Sequence, residues 1–234
     1  ESIAEAVAKD LSLTAEVKFS VPEGSASEEN ASVYFFNYLA YSLLSVLILG
    51  ISSVMIVLKD AEIQKRHHAS PITRDSLTSQ MFGAMALFTV ATWSIMVAAC
   101  FLLSFKNNLN ANFLLFMLNS FVFALASTGI SFLIANLITG RNAISAVNNI
   151  VTMGSCFLGG VFVPQAMLGP TVLQFARLLP TYWYVKANTV IGSLSSFSSS
   201  YTGEVYRSMA IVAAFGVAAF GASILLGRRR IQSA

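Results

Sequence analysis

Residues 31–58 and 76–105 carry no charged side chain, while residues 59–75 between them carry seven, together with both histidines. Each uncharged run is longer than the roughly 20 apolar residues with which a helix crosses a bilayer, so each predicts a membrane span. Along the rest of the chain the same pattern predicts five spans in all, at 33–58, 77–105, 113–138, 144–163 and 209–227. The first opens on Tyr34, Phe35, Phe36, Tyr38 and Tyr41, aromatics of the kind that collect at membrane–water interfaces. The expected fold is an all-α integral membrane protein.

The connecting segments differ in character. Lys106-Asn107-Asn108-Leu109-Asn110 and Thr139-Gly140-Arg141-Asn142 read as short polar turns. Residues 164–206 are mixed: Pro164, Pro170 and Pro180 interrupt them, and 168–179 is too short to cross a bilayer. Residues 1–32 read as soluble, with seven acids against Lys9 and Lys18. Val17-Lys18-Phe19-Ser20-Val21 alternates like a short strand and Pro22-Glu23-Gly24-Ser25 like a turn, so 1–32 is expected to be the C-terminal end of an outer domain. Asn30-Ala31-Ser32 fits a glycosylation sequon, but it abuts the membrane and reads as a chance match.

The charged stretch predicts a short basic helical element at the membrane surface. Ser70-Pro71 gives a helix start, with Ser as N-cap and Pro at the first helical position, where a missing N–H is harmless. A plain solvated loop is the bland alternative; the length, the charge mix and that helix start favour a docking element. If this stretch is cytoplasmic, that side carries Lys59, Lys65, Arg66, Arg74, Arg141, Arg228, Arg229 and Arg230. The short outer segments carry Lys106, Arg177, Lys186 and Arg207. The excess follows the positive-inside rule, with residue 1 outside and the C-terminus cytoplasmic.

Composition agrees with the pattern. Of 234 residues, 56% are hydrophobic and 11% charged, against about 25% charged in a soluble domain. The net charge of +3 comes from basic residues beside spans, so it does not indicate nucleic acid. Cys100 and Cys156 fall inside apolar runs and read as packing residues, suggesting neither a metal site nor a disulfide. No Asp, Glu, Lys or Arg lies in the body of a span, which disfavours a proton-coupled pump. The neutral amides Asn37, Asn119, Asn136, Asn148 and Asn149 either line a solute path or bond between helices; the second reading is favoured. Ala214, Ala218 and Ala222, with Gly216 and Gly221 nearby, predict a close helix interface within or between chains.

No catalytic constellation is present. Adjacent His67 and His68 point roughly 100° apart on a helix and cannot chelate as an i, i+4 pair does. There is no HExxH pattern and no Gly-x-x-x-x-Gly-Lys-Ser/Thr phosphate loop. No cofactor is expected. If nucleotide energy drives this protein, another polypeptide supplies the phosphate cradle.

Two stretches carry a family resemblance. Glu62, Lys65-Arg66-His67 and Ser70-Pro71-Ile72 are similar to the charged cytoplasmic segment of ABC-2 type transporter permeases, the membrane subunits of bacterial ABC exporters. Phe157-Leu158-Gly159-Gly160-Val161-Phe162-Val163-Pro164, followed by Leu179-Pro180-Thr181-Tyr182-Trp183-Tyr184, resembles that family's Gly-rich span end and outer re-entrant helices. The resemblance covers nearly everything from 33 to 230. It implies a permease domain at 33–230, with an ATPase-coupling segment at 59–76 and an outer re-entrant segment at 164–206. The family has six spans with both ends inside, so the first span and most of an outer domain are expected to be lacking here. The Gly-Thr pair often found after the Glu in relatives is absent.

The resemblance assigns coupling to Glu62, Lys65, Arg66, His67, Ser70 and Pro71, and an outer gate to Phe162, Pro164, Pro180 and Tyr182. It implies a separate ABC ATPase, a second permease copy or paralogue, and surrounding membrane lipid as partners. The setting is the bacterial cytoplasmic membrane. The cargo is expected to be amphipathic (a peptide, lipid or drug), because the spans offer apolar and aromatic surface without fixed charge. A membrane scaffold or sensor with an outer ligand-binding domain, and an ion-coupled carrier, are the competing readings.

Overall fold

The structure, a computed structural model, describes residues 26–69, 74–103, 111–138, 140–193 and 199–232. Among them every regular element is helical. In chain order these are α1 (Ala26–Leu58), α2 (Ala61–Ala69), α3 (Arg74–Leu103), α4 (Ala111–Leu137), α5 (Arg141–Gly159), a 3-10 turn (Gln165–Met167), α6 (Pro170–Ala176), α7 (Pro180–Gly192) and α8 (Ser199–Gln232). The expected strand at 17–21, Ser70 and Pro71, and the polar turn at 106–110 lie outside the described residues.

Four helices, α1, α3, α4 and α8, are long and apolar enough to cross a membrane. This is a multi-pass membrane protein. The fifth expected span, 144–163, falls on α5, which is a helix of another kind. Its 19 residues reach about 28 Å at 1.5 Å per residue. Arg141, Asn142, Asn148 and Asn149 lower its hydropathy, and it is not among the four. Its buried stripe of Ile144, Asn148, Thr152, Cys156 and Gly159 recurs every three or four residues, so polar and apolar groups alike are turned inward. The helix also stops short of 163. Gly160 takes φ 95°, and the Val161 N–H bonds back to the Cys156 carbonyl at 2.9 Å, a left-handed cap that suits a residue without Cβ.

The prolines at 164–180 start elements rather than merely breaking them. Pro170 and Pro180 are the first residues of α6 and α7, and Pro164 leads into the 3-10 turn. Two helices begin earlier than the apolar pattern suggests. α1 starts at Ala26 and α8 at Ser199, because a helix continues through polar positions once its apolar part is anchored. On α8 that extension carries Glu204, paired with Lys186 of α7 at 2.8 Å.

α4 is the hub, packed on α8, α1, α7 and α3. α1, α4 and α8 run in one direction and α3 and α5 in the other. Pairs of contacts fix this: Phe36 stacks on Phe116 (4.9 Å, 11°) and Lys59 reaches Ala135 for α1 with α4, and Gly129 meets Gly216 and Asn136 bonds Ser223 (2.7 Å) for α4 with α8. Trp93 bonds Ser120 and Phe82 stacks on Phe132 for α3 against α4, and Asn148 bonds Ser45 while Phe162, just past α5, meets Tyr38 for α5 against α1. Lipid tails are as apolar as leucine, so helices in a bilayer associate by close packing and hydrogen bonding. The α4–α8 crossing shows the first. A Cβ on Gly216 would lie 2.6 Å from Ala126 Cα, and one on Gly129 would lie 2.5 Å from the Gly216 carbonyl oxygen. The close seam on α8 is therefore Val212, Gly216, Ala219 and Ser223, all buried. Of the residues expected at a close interface, Gly216 makes the contact within the chain, while Ala214 and Ala218 are exposed one face away from it.

Candidate functional site

At one end of the bundle α1 hands over to α2 across Lys59 and Asp60. The Lys59 and Asp60 N–H groups close α1 on the Met55 and Val57 carbonyls at 3.0 and 3.1 Å, and the Gln64 N–H opens α2 on the Asp60 carbonyl at 2.9 Å. Asp60 Oδ1 accepts the Glu62 N–H at 3.0 Å, which makes Asp60 the N-cap. α2 displays Glu62, Gln64, Lys65 and Arg66 to solvent and half-buries Ile63. Glu62 and Lys65 pair at 2.9 Å, i to i+3, and Arg66 follows on the same side. The structure thus brings Glu62, Lys65 and Arg66 together on one exposed face. His67 belongs to α2, but its side chain, like Ser70 and Pro71, lies outside the described residues.

Lys59 has a role that sequence reasoning missed. Its Nζ donates to the Ala135 carbonyl at 2.7 Å. Ala135 lies in the last turn of α4, where carbonyls lack an intrahelical donor and the helix dipole favours a cation. The available signal was a lysine placed directly after an uncharged span.

At the other end α7 sits among the first turns of α1 and α4 and the last turns of α5. Asn119 Nδ2 donates to Asn188 Oδ1 at 2.8 Å and to the Tyr184 carbonyl at 3.1 Å; Asn188 Nδ2 donates to Asn37 Oδ1 at 2.9 Å; Tyr184 OH donates to the Phe36 carbonyl at 2.6 Å. Asn119, Asn188 and Tyr184 are fully buried. Thr181 Oγ1 bonds the Ser155 carbonyl at 2.9 Å, and Gln165 Nε2 bridges the Gly159 and Tyr182 carbonyls at 2.8 and 2.9 Å.

Of the predicted gate residues, Phe162 is half-buried against Tyr38, Tyr41 and Phe157, with ring centroids 5.8, 5.4 and 5.0 Å away. Pro180 and Tyr182 are buried in the first turn of α7, and Pro164 is exposed. Gln165 ties the Pro164 turn to Tyr182. The favoured reading of the span amides, bonding between helices, holds for Asn37, Asn119, Asn136 and Asn148; the last reaches Ser45 at 3.0 Å. Asn149 is exposed on α5.

Among the described residues no group of three or more His, Cys, Asp or Glu could hold a metal ion. What the geometry offers is a charged, capped helix at one end and a hydrogen-bonded platform at the other. The family model for the ABC-2 type transporter matches residues 15–192. No curated protein and no solved structure matches the chain.

Proposed function

The chain belongs to the ABC-2 type transporter family, a transport membrane component, and from that premise we propose that it is the permease subunit of an ATP-driven exporter. It works in a bacterial cytoplasmic membrane with α2 and the C-terminus on the cytoplasmic side. Hydrolysis belongs to a separate ABC ATPase, whose surface cleft receives α2 through Glu62, Lys65, Arg66 and His67, with Ser70 and Pro71 starting the next segment. The observation that carries the reading is α2 itself: a capped, charged, exposed helix joined to a membrane span by two residues, inside a chain matched to this family. Such a helix transmits force only if its contacts differ between nucleotide states of the partner.

Two copies, or this chain and a paralogue, form the path. The exposed face of α5 supports this, because it mixes Asn142, Ser145 and Asn149 with Ile150, Met153 and Phe157. Amides are costly against lipid tails, so this face suits a water-filled path or a second copy. The cargo is amphipathic. Phe162, Pro164, Pro180 and Tyr182 form the outer gate.

The test is co-purification of the full-length protein, wild type against a Glu62→Arg, Arg66→Glu double variant, with nucleotide-binding proteins identified by mass spectrometry. The expected result is an ATPase retained by wild type and lost on charge reversal. An ATPase absent from wild type in mild detergent, with the fold intact, would overturn the exporter reading.

A further inference from the structure

We propose that Lys59 is a positioning residue that straps the α1–α2 turn to α4, so that displacement of α2 is carried directly to the end of the hub helix. The inference rests on the reading of α2 as the ATPase-driven lever. The one substantial packing partner of α2 among the described residues is α1. Through the backbone, a push on α2 enters α1 across Lys59 and Asp60, and the chain beyond Ala69 leads on to α3. Lys59 adds a direct side-chain route to the end of α4: its half-buried ammonium holds the Ala135 carbonyl at 2.7 Å, across 76 residues of sequence.

The bond is charge-assisted and made to the negative end of a helix dipole, so it resists extension more than a neutral contact does. The residue after Ala135, Asn136, bonds Ser223 of α8 at 2.7 Å, and further along the same pair of helices Gly129 and Gly216 bring the backbones into contact. Movement delivered to the end of α4 is thereby delivered to α8 as well. α1, α4 and α8 then move as one body at this end. A lysine suits the position because its four-carbon stem crosses the gap while the charge stays at the carbonyl.

The test uses the full-length permease with its co-purified ATPase in nanodiscs, spin-labelled at two pairs of introduced cysteines. Gln64 with Leu137 measures α2 against the end of α4, and Gln64 with Ile150 measures α2 against α5; all three positions are exposed, whereas Cys100 and Cys156 are buried. Distances are compared without nucleotide and with ATP–vanadate. In wild type the Gln64–Ile150 distance is expected to change and the Gln64–Leu137 distance to stay fixed. Lys59→Met is expected to release the second, so that both change. Lys59→Arg, which restores a charged donor, is expected to behave as wild type, a rescue that a merely structural role for the stem does not require.

If Lys59→Met does not assemble, Lys59→Gln, one atom shorter and uncharged, serves in its place with the same expectation. A Gln64–Leu137 distance that changes in wild type, or that stays fixed in the methionine or glutamine variant, overturns the strap while leaving the lever reading intact. A Gln64–Ile150 distance that never changes, with the ATPase bound and hydrolysing, overturns both.

Discussion

The two ends of this bundle are held in different ways. Where α7 lies, side chains of α1, α4 and α7 interlock through Asn37, Asn119, Asn188 and Tyr184, Thr181 bonds a backbone carbonyl of α5, and Gln165 closes the turn before α6 onto α7. Where α2 lies, an exposed helix hangs from a two-residue turn, and Lys59 reaches across to α4. Opening free energy is not uniform across a protein, and it is lowest where buried contacts are few. One end is a hydrogen-bonded platform, and the other is a helix held by few contacts, called the joint below. The proposed gate would therefore move with whole helices: Tyr182 and Pro180 are buried beside the network, whereas Pro164, Met167, Phe175 and Leu178 are among the exposed residues of this end.

Removal of the amide at the centre of the platform is expected to have the largest effect. Asn188→Leu takes one of the two acceptors of Asn119 Nδ2, which keeps the Tyr184 carbonyl, and removes the donor to Asn37 Oδ1. A buried polar group left without a partner costs about 1–3 kcal/mol, and the loss for this variant is expected in that range. Equilibrium unfolding in bicelles, by steric trapping or a comparable reversible method, reads it. A loss below about 0.6 kcal/mol, the average for a hydrogen bond between membrane helices, would mean that the network is replaceable and that the platform is no stiffer than the joint.

A smaller change sharpens the other side. Asp60→Ala removes the cap of α2, for which an alanine costs about 1 kcal/mol of helix stability. The cost belongs to a helix with little packing, so it is expected to stay local. Amides of 61–69 should exchange faster with deuterium while those of α4 and α7 keep their protection. Protection lost throughout the bundle would show that α2 is an integral part of the core, and the distinction between joint and platform would fall.

The two ends were unequally legible in the sequence. The joint could be read because its signal is local: seven charges between two uncharged runs specify a polar element between spans whatever the tertiary fold. The four long apolar helices were legible for the same reason. The cap was not assigned to Asp60, because three-residue side-chain-to-backbone geometry competes with every other polar residue in the stretch.

The platform was legible only in part. Asn37 and Asn119 stand out as amides in apolar runs, but Asn188, Tyr184 and Gln165 lie in the proline-marked segment, where polar residues draw no notice. Their partners are 65 to 151 residues away or set by the fold of the turn itself. Likewise the alanine repeat of α8 was the conspicuous pattern, yet the contact forms at Gly216. Backbone approach depends on the partner's shape at Ala126 and Gly129, which one helix's sequence does not record.

The smallest expected effect separates folding from docking. Glu62 and Lys65 pair at 2.9 Å with about three-quarters of each side chain exposed. Exposed i, i+3 pairs contribute about 0.3–0.5 kcal/mol, screened further by salt. Lys65→Ala should therefore leave the unfolding of the isolated permease unchanged within about 0.5 kcal/mol. If α2 docks an ATPase through this face, the same substitution should still weaken co-purification, because at an interface the lysine meets a partner charge in a less hydrated setting than it does in the free protein. The effect on association should fall as salt is raised from 50 to 300 mM while the unfolding curve does not move. Were both to change together, the pair would belong to the fold, and its exposure would carry no functional meaning. Were neither to change, Lys65 would drop out of the docking face and leave it to Glu62 and Arg66.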